Sequence, residues 1–294
     1  MKGLAPGAEI VPIRTTTGKE PGKKLGDTPA AIRAAADSDA RIINMSFGSD
    51  FMSQAERAAV KYAAGRGKLL FAGVGNDAQT KNFVGYPAAY PEVVGVSAAD
   101  RSGKVAKFSE YGEYVDLAAP GLDIPRWCDE TFRSYCDEGG GTSAATAIAS
   151  ASAALVWSKH PYWTANQVLR VLIDTAGRDW PKGEPSDYLG YGLIRPARNV
   201  VKGEGEPGPA DTDPITNEKT AGGGGGSGSG DSTSPTSTPS RPDEGATSGG
   251  KETAAAEASN DGGSNLLWSV LGGLTAVVVI GGGVFAAMRA RRRA

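Results

Sequence analysis

Arg41-Ile42-Ile43-Asn44-Met45-Ser46, then Ser53-Gln54-Ala55-Glu56 with an alanine-rich run behind it, then Lys68-Leu69-Leu70-Phe71-Ala72-Gly73-Val74, make up the stretch that decides the fold. The first and last segments are short and apolar, the pattern of buried strands. Ser53 followed three residues later by Glu56 is a capping box. Behind it Ala55, Ala58, Ala59, Tyr62 and Ala63 fall on one helical face, and Gly65 and Gly67 end the helix. Strand, helix and strand in that order predict a parallel sheet with helices on its faces.

Working outward, Glu9-Ile10-Val11-Pro12-Ile13-Arg14 reads as a further strand. Asp27 or Thr28 before Pro29 is an N-cap and first-turn pair, so residues 29–36 are expected to be helical. Residues 93–98 and 115–119 read as strands. Thr164-Ala165-Asn166-Gln167 is a second capping box, opening a helix to about residue 176. Gly190-Tyr191-Gly192-Leu193-Ile194 is expected to be a last strand and residues 196–201 a closing helix. One α/β domain over residues 1–202 accommodates all of this.

Beyond it the composition changes. Residues 203–265 are Gly, Ser, Thr, Pro and acidic residues that bury no core, and are expected to be a disordered linker. Residues 266–288 carry no charge. As a helix they would run roughly 35 Å, enough to cross a bilayer. Trp268 lies near one interface, and Arg289, Arg291, Arg292 and Arg293 flank the other. The positive-inside rule puts a basic tail, residues 289–294, in the cytoplasm and the domain outside the cell. The alternative, a buried helix of a soluble protein, leaves both the linker and the arginines without a reason. The first residues lack the long apolar run of a secretory signal.

In an exported domain Cys128 and Cys136 read as a local disulfide, whose short loop would stabilise by roughly 2.5 kcal/mol. Two buried free thiols are the alternative. No Cys/His spacing suggests a metal site, and no cofactor is expected. A net charge of −2 argues against nucleic acid as a partner.

Three stretches carry chemistry. Gly139-Gly140-Gly141-Thr142-Ser143-Ala144-Ala145 leads into a run of small residues, delivering Ser143 to the N-terminus of a buried helix. A serine there can attack a carbonyl while helix N–H groups hold the oxyanion. The plainer reading is a Gly-rich turn capped by Thr or Ser. Phe71-Ala72-Gly73-Val74-Gly75-Asn76-Asp77 is a strand ending in Gly-Asn, whose amide could point at an oxyanion. Asn44-Met45-Ser46-Phe47-Gly48 is a strand followed by backbone that could pair with an extended peptide.

In this order the three stretches resemble the subtilisin-like serine proteases (peptidase S8), and within them the membrane-anchored, mycosin-like members of actinobacteria. Leu4-Ala5-Pro6-Gly7-Ala8, Tyr86-Pro87-Ala88-Ala89-Tyr90-Pro91, Ala118-Ala119-Pro120-Gly121 and Gly190-Tyr191-Gly192 extend the likeness. The resemblance implies a three-layer parallel sheet with helices on both faces. It implies Ser143 as nucleophile and Asn76 as oxyanion donor beside the Ser143 N–H. Ser46, Phe47 and Gly48 would be the substrate-pairing strand. Gly73, Val74 and Gly75 would be a wall of the pocket for the residue before the cut bond. It further implies a polypeptide substrate and the type VII secretion machinery as a partner. Ala147 departs from the proline usual at that place.

The larger departure is at the start. The resemblance puts the triad Asp and His upstream of residue 1, so this chain is expected to be inactive by itself. The only histidine, His160, lies 17 residues after Ser143 on the same helix, roughly 25 Å away. Asp27-Thr28 is followed by Pro29 where the family motif has Gly, so helix capping is the better reading. The other readings are a non-catalytic, membrane-tethered protein that binds peptides in the same groove, and a structural surface protein with a decayed site. Retention of both Ser143 and Asn76 favours the enzyme.

Overall fold

The computed structural model describes residues 3–15, 27–129, 131, 133–136 and 139–220, with the backbone alone of Val277–Val279. Four parallel strands form the centre: β2 (Ile42–Met45), β3 (Leu69–Gly73), β4 (Val94–Ala99) and β5 (Leu117–Pro120). β1 is only Pro12–Ile13, and the antiparallel β8 (Val277–Val279) lies between it and β2, giving the order β1-β8-β2-β3-β4-β5.

Apart from Asn44 in β2 and Ser97 in β4, the central strands are apolar because both faces of the sheet are covered, as expected of parallel sheets. Along β3, Leu69 and Phe71 join one core with α3 (Thr142–Lys159) and α4 (Ala165–Asp174), while Leu70 and Ala72 join the other with α1 (Thr28–Asp37) and α2 (Gln54–Gly65). That is the two-residue alternation of a strand, used on both sides. Helix α3 packs along β2, β3, β4 and β5 through Ala145, Ala149 and Ala153. Its buried hydroxyls cost little, because Thr146 and Ser152 donate to the carbonyls of Thr142 and Ile148 one turn back.

Helix starts follow the sequence. Asp27 caps α1 by accepting from the Ala30 N–H, and Thr164 and Gln167 form a complete capping box on α4. At α2 only half of the expected box forms: Ser53 accepts from the Glu56 N–H, but the Ser53 N–H donates to the Tyr90 hydroxyl instead of to Glu56. The buried face of α2 is also turned from the expected one. Glu56, Ala59, Val60 and Ala63 are buried, while Ala55, Ala58 and Tyr62 are exposed. Val60 and Ala63 take the core, and Tyr62 lies outside under the guanidinium groups of Arg33 and Arg66.

Two further expectations are corrected. Residues 190–194 make single bridges from Leu193 to Ala118 and Gly177 rather than a strand, with Gly192 at φ +122° breaking the ladder. Residues 203–220 pack against the domain after α5 (Pro196–Val200) instead of opening the disordered linker. Gln167, Asn166 and Arg170, on the polar side of α4, donate to the carbonyls of Gly208, Ala210 and Thr212, and Ile215 joins the core. The backbone at Val277–Val279, inside the expected membrane helix, is extended. Three β-branched valines fit a strand, and they pair with an edge of β2 that would otherwise present open N–H and C=O groups. The rest of 266–288 and the remainder of the linker lie outside the described residues. Among the described residues no helix is long and apolar enough to cross a membrane.

Candidate active site

Helix α3 starts on Gly141, whose φ of +139° and ψ of 163° are closed to residues with a Cβ. A glycine cap has no side chain to satisfy the first helix N–H, and the segment after β3 supplies one. Asn76 Oδ1 accepts from the Thr142 N–H at 2.9 Å. This bond uses the amide oxygen, so the Nδ2 end is left to donate outward. Thr142 is held in turn: its Oγ1 accepts from the Gly75 N–H at 3.4 Å, and a Cβ on Gly73 would stand 2.9 Å from that oxygen.

Ser143 is exposed in the first turn, where helix N–H groups have no partner within the helix. Its Oγ donates to the Ser46 carbonyl at 3.4 Å, and Ser46 Oγ donates to the Ser143 carbonyl at 3.0 Å. Asn44, buried in β2, donates to Ser46 Oγ at 2.8 Å and accepts from Ser150 Oγ, two turns along α3, at 3.2 Å. The end of β2, the end of β3 and the start of α3 are thereby locked together, with the Ser143 hydroxyl and the Asn76 amide on the accessible side.

Gly48 extends the β2 segment. Ser49 and Tyr86 then exchange backbone hydrogen bonds of 2.9 and 2.8 Å, tying this segment to Gly85-Tyr86. Gly85 lies against the Val74 carbonyl, 2.4 Å from where its Cβ would be. Ser46–Ser49, Gly73–Gly75 and Gly85-Tyr86 are therefore tied together beside the turn that carries Ser143. The Val74 side chain turns away from them: it is fully buried in the α1–α2 core. Phe47 is half-buried against the same core.

Burial pushes the Glu110 carboxyl, which lies against Gly75 and Gly85, up to about 7, with the Asp77 charge adding to the effect and backbone N–H groups of Asp77 and Phe83 opposing it. The same burial, then the Glu110 charge, raises the Tyr114 phenol to about 12.

His160 is the C-cap of α3, at the opposite end from Ser143, stacked on Trp163 with ring centroids 3.7 Å apart. Cys128 and Cys136 are bonded, with Cα atoms 5.1 Å apart. They close a hairpin of β6 (Arg126–Trp127) and β7 (Tyr135–Cys136) that the sequence reading missed. The hairpin feeds into the nucleophile turn, where Ile124 N–H donates to Gly139 and Gly141 N–H to Gly121. Asn44, Thr142, Ser150 and Glu110 were also missed. The sole polar residue in the β2 run and the Thr of Gly-Thr-Ser were visible signals, whereas nothing in Phe108-Ser109-Glu110-Tyr111 marks Glu110.

Comparison with known proteins agrees with this arrangement. The profile of the Subtilase family (peptidase S8) matches residues 1–192. A thermostable alkaline protease of Halalkalibacterium halodurans is 35% identical over 196 residues, 67% of this chain and 52% of that protein. The prenylagaramide maturation protease PagA superposes with a TM-score of 0.54 at 26% identity, over 65% of this chain and 72% of that one. MycP1 from the ESX-1 type VII secretion system does so with a TM-score of 0.53 at 25% identity, over 62% and 56%. The chain spans about half the length of the curated relative it matches. By the family profile over residues 1–192, the chain belongs to the subtilisin-like serine peptidases of the Subtilase family.

Proposed function

We propose that this chain carries the nucleophile side of a membrane-anchored, extracytoplasmic serine endopeptidase. The observation that carries the reading is the Asn76 carboxamide, held through its oxygen by the Thr142 N–H one residue before Ser143. Ser143 Oγ attacks the substrate carbonyl, and the resulting oxyanion sits between the Ser143 N–H and Asn76 Nδ2. A polypeptide extended along Ser46, Phe47 and Gly48 presents that carbonyl. The C–N bond then breaks, the amine half leaves with the proton taken from Ser143, and water hydrolyses the acyl-enzyme to the acid half and free Ser143. Ser143 loses its proton as the bond forms, to an acceptor about 3 Å away. His160, at the far end of α3, cannot take it. The reading therefore draws the base from outside these 294 residues, and this chain by itself is expected to be inactive.

Residues 266–288 serve as the anchor in this reading, as a helix in lipid that gives up the pairing of Val277–Val279 with β2. In lipid a helix meets all their backbone groups internally. The likeness to MycP1 from a type VII secretion system supports such machinery as the partner at the membrane. The test is a fluorophosphonate probe on the protein from its native gene, with the modified residue mapped by mass spectrometry. Labelling at Ser143 is expected, and an active enzyme labelled elsewhere would sink the assignment. Deleting residues 266–294 should release the protein from sedimented membranes. Continued sedimentation would reject the anchor.

A further inference from the structure

Behind the glycines beside Ser143 stands a buried acid. Glu110 is 3% exposed. A Cβ on Gly75 would stand 1.9 Å from Glu110 Oε2, and one on Gly85 3.5 Å from it. In the peptidase reading Gly73, Val74 and Gly75 form a wall of the pocket for the residue before the cut bond, and neither Gly75 nor Gly85 has a side chain to stand between the carboxylate and that pocket.

That carboxylate has acceptor capacity left. The N–H groups of Asp77 and Phe83 donate to it, whereas an ionised carboxylate offers about four acceptor positions. Its charged neighbours, Asp77 and Asp50, are acids, as is the Tyr114 phenol. Among the described residues no ion pair includes Glu110. A purely structural part does not need this charge, since a glutamine carbonyl could accept the same N–H bonds without the cost of burying an ion. Nor do the carboxylates form a group that could hold a metal ion among the described residues.

We propose that Glu110 determines specificity for the residue before the cut bond, receiving a lysine or arginine side chain through a charge-assisted hydrogen bond. The proposal rests on the peptidase reading above and adds the substrate class. The charge that a cationic side chain brings is the one this pocket lacks.

The test uses the protein from its native gene and two peptides that differ only before the cut bond, one with arginine and one with its uncharged isostere citrulline. The kcat/KM ratio should favour arginine by at least about tenfold, the scale of one hydrogen bond between charged groups. Glu110→Gln should bring the ratio close to one. Should that variant not fold, the wild-type ratio still decides, measured from pH 6 to pH 8 where it should rise as Glu110 ionises among Asp77, Asp50 and Tyr114. Cleavage of both peptides at equal rates overturns the subsite alone. A preference for arginine that survives in a folded Glu110→Gln enzyme overturns it too. Absence of both peptide cleavage and Ser143 labelling overturns the peptidase reading, and the subsite with it.

Discussion

The two ends of helix α3 carry the serine and the histidine that a search for a catalytic pair would pick out, and they are built in opposite ways. At the N-terminus Gly141 offers no capping side chain, Asn76 takes the first N–H, and Ser143 is exposed. At the C-terminus His160 lies flat on Trp163, whose carbonyl accepts from both Trp157 Nε1 and Arg41 Nη2. One end exposes the Ser143 hydroxyl and the Asn76 amide, while the other holds the His160 ring against Trp163 with its Nε2 buried and without a hydrogen-bond partner. Residue type alone does not separate them, but what each end exposes does.

The largest expected effect separates the ends outright. Ser143→Ala should reduce peptide cleavage by the active protein to background and abolish probe labelling. His160→Gln should leave turnover within about twofold, as for substitutions remote from a site. A His160 variant as dead as the serine variant would break the comparison.

Next in size is the amide held by the open end. Asn76→Ala should slow kcat by about 10²–10³-fold with KM little changed, the signature of an oxyanion donor. A rise in KM at constant kcat would move Asn76 from oxyanion stabilisation to substrate binding.

Gly141→Ala tests the cap. The new Cβ would have room, its nearest neighbour being Asn76 Oδ1 at 3.5 Å, so the cost is conformational. A loss of about 1–3 kcal/mol is expected from the backbone angle. Urea unfolding measures it, and an unchanged midpoint would show that the turn relaxes freely.

A pH slope tests the buried acids. Burial raises Glu110 from 4.5 and Asp116 from 3.8, each to about 7. Both hold a proton in the folded protein at a pH where the unfolded chain has lost it. Their contribution is therefore complete below about pH 4 and is lost as pH rises through about 7. The urea midpoint should fall across that window, and Glu110→Gln or Asp116→Asn should flatten the fall. A midpoint that rises from pH 5 to pH 7, with the same slope in the variants, would contradict the burial argument.

Much of this was legible beforehand. The strands at 42–45 and 69–73 and the caps at Asp27, Ser53 and Thr164 come from local patterns, and local patterns survive folding. Ser143 and Asn76 were legible because each sits at a change of element, where Gly-rich backbone meets a polar side chain. The buried face of α2 was misread because an alanine-rich helix offers several nearly equivalent faces, and packing of Val60 chose among them. Residues 203–220 were misread because composition registers how little apolar surface a segment has, not that α4 holds donors for its carbonyls.

The sequence by itself determined the parallel α/β architecture, the helix that opens on Gly-Thr-Ser, and the separation of Ser143 and His160 by the length of one helix. Those depend on periodicity and on covalent spacing, which any fold must respect. Only the tertiary structure decided which end of the Asn76 amide is free, that Val74 turns its side chain into the core, and that Glu110 stands behind Gly75 and Gly85. Each depends on two or three segments more than 10 residues apart meeting at hydrogen-bond or van der Waals distance. Contacts of that kind come from how layers pack, and no single stretch of the chain encodes them.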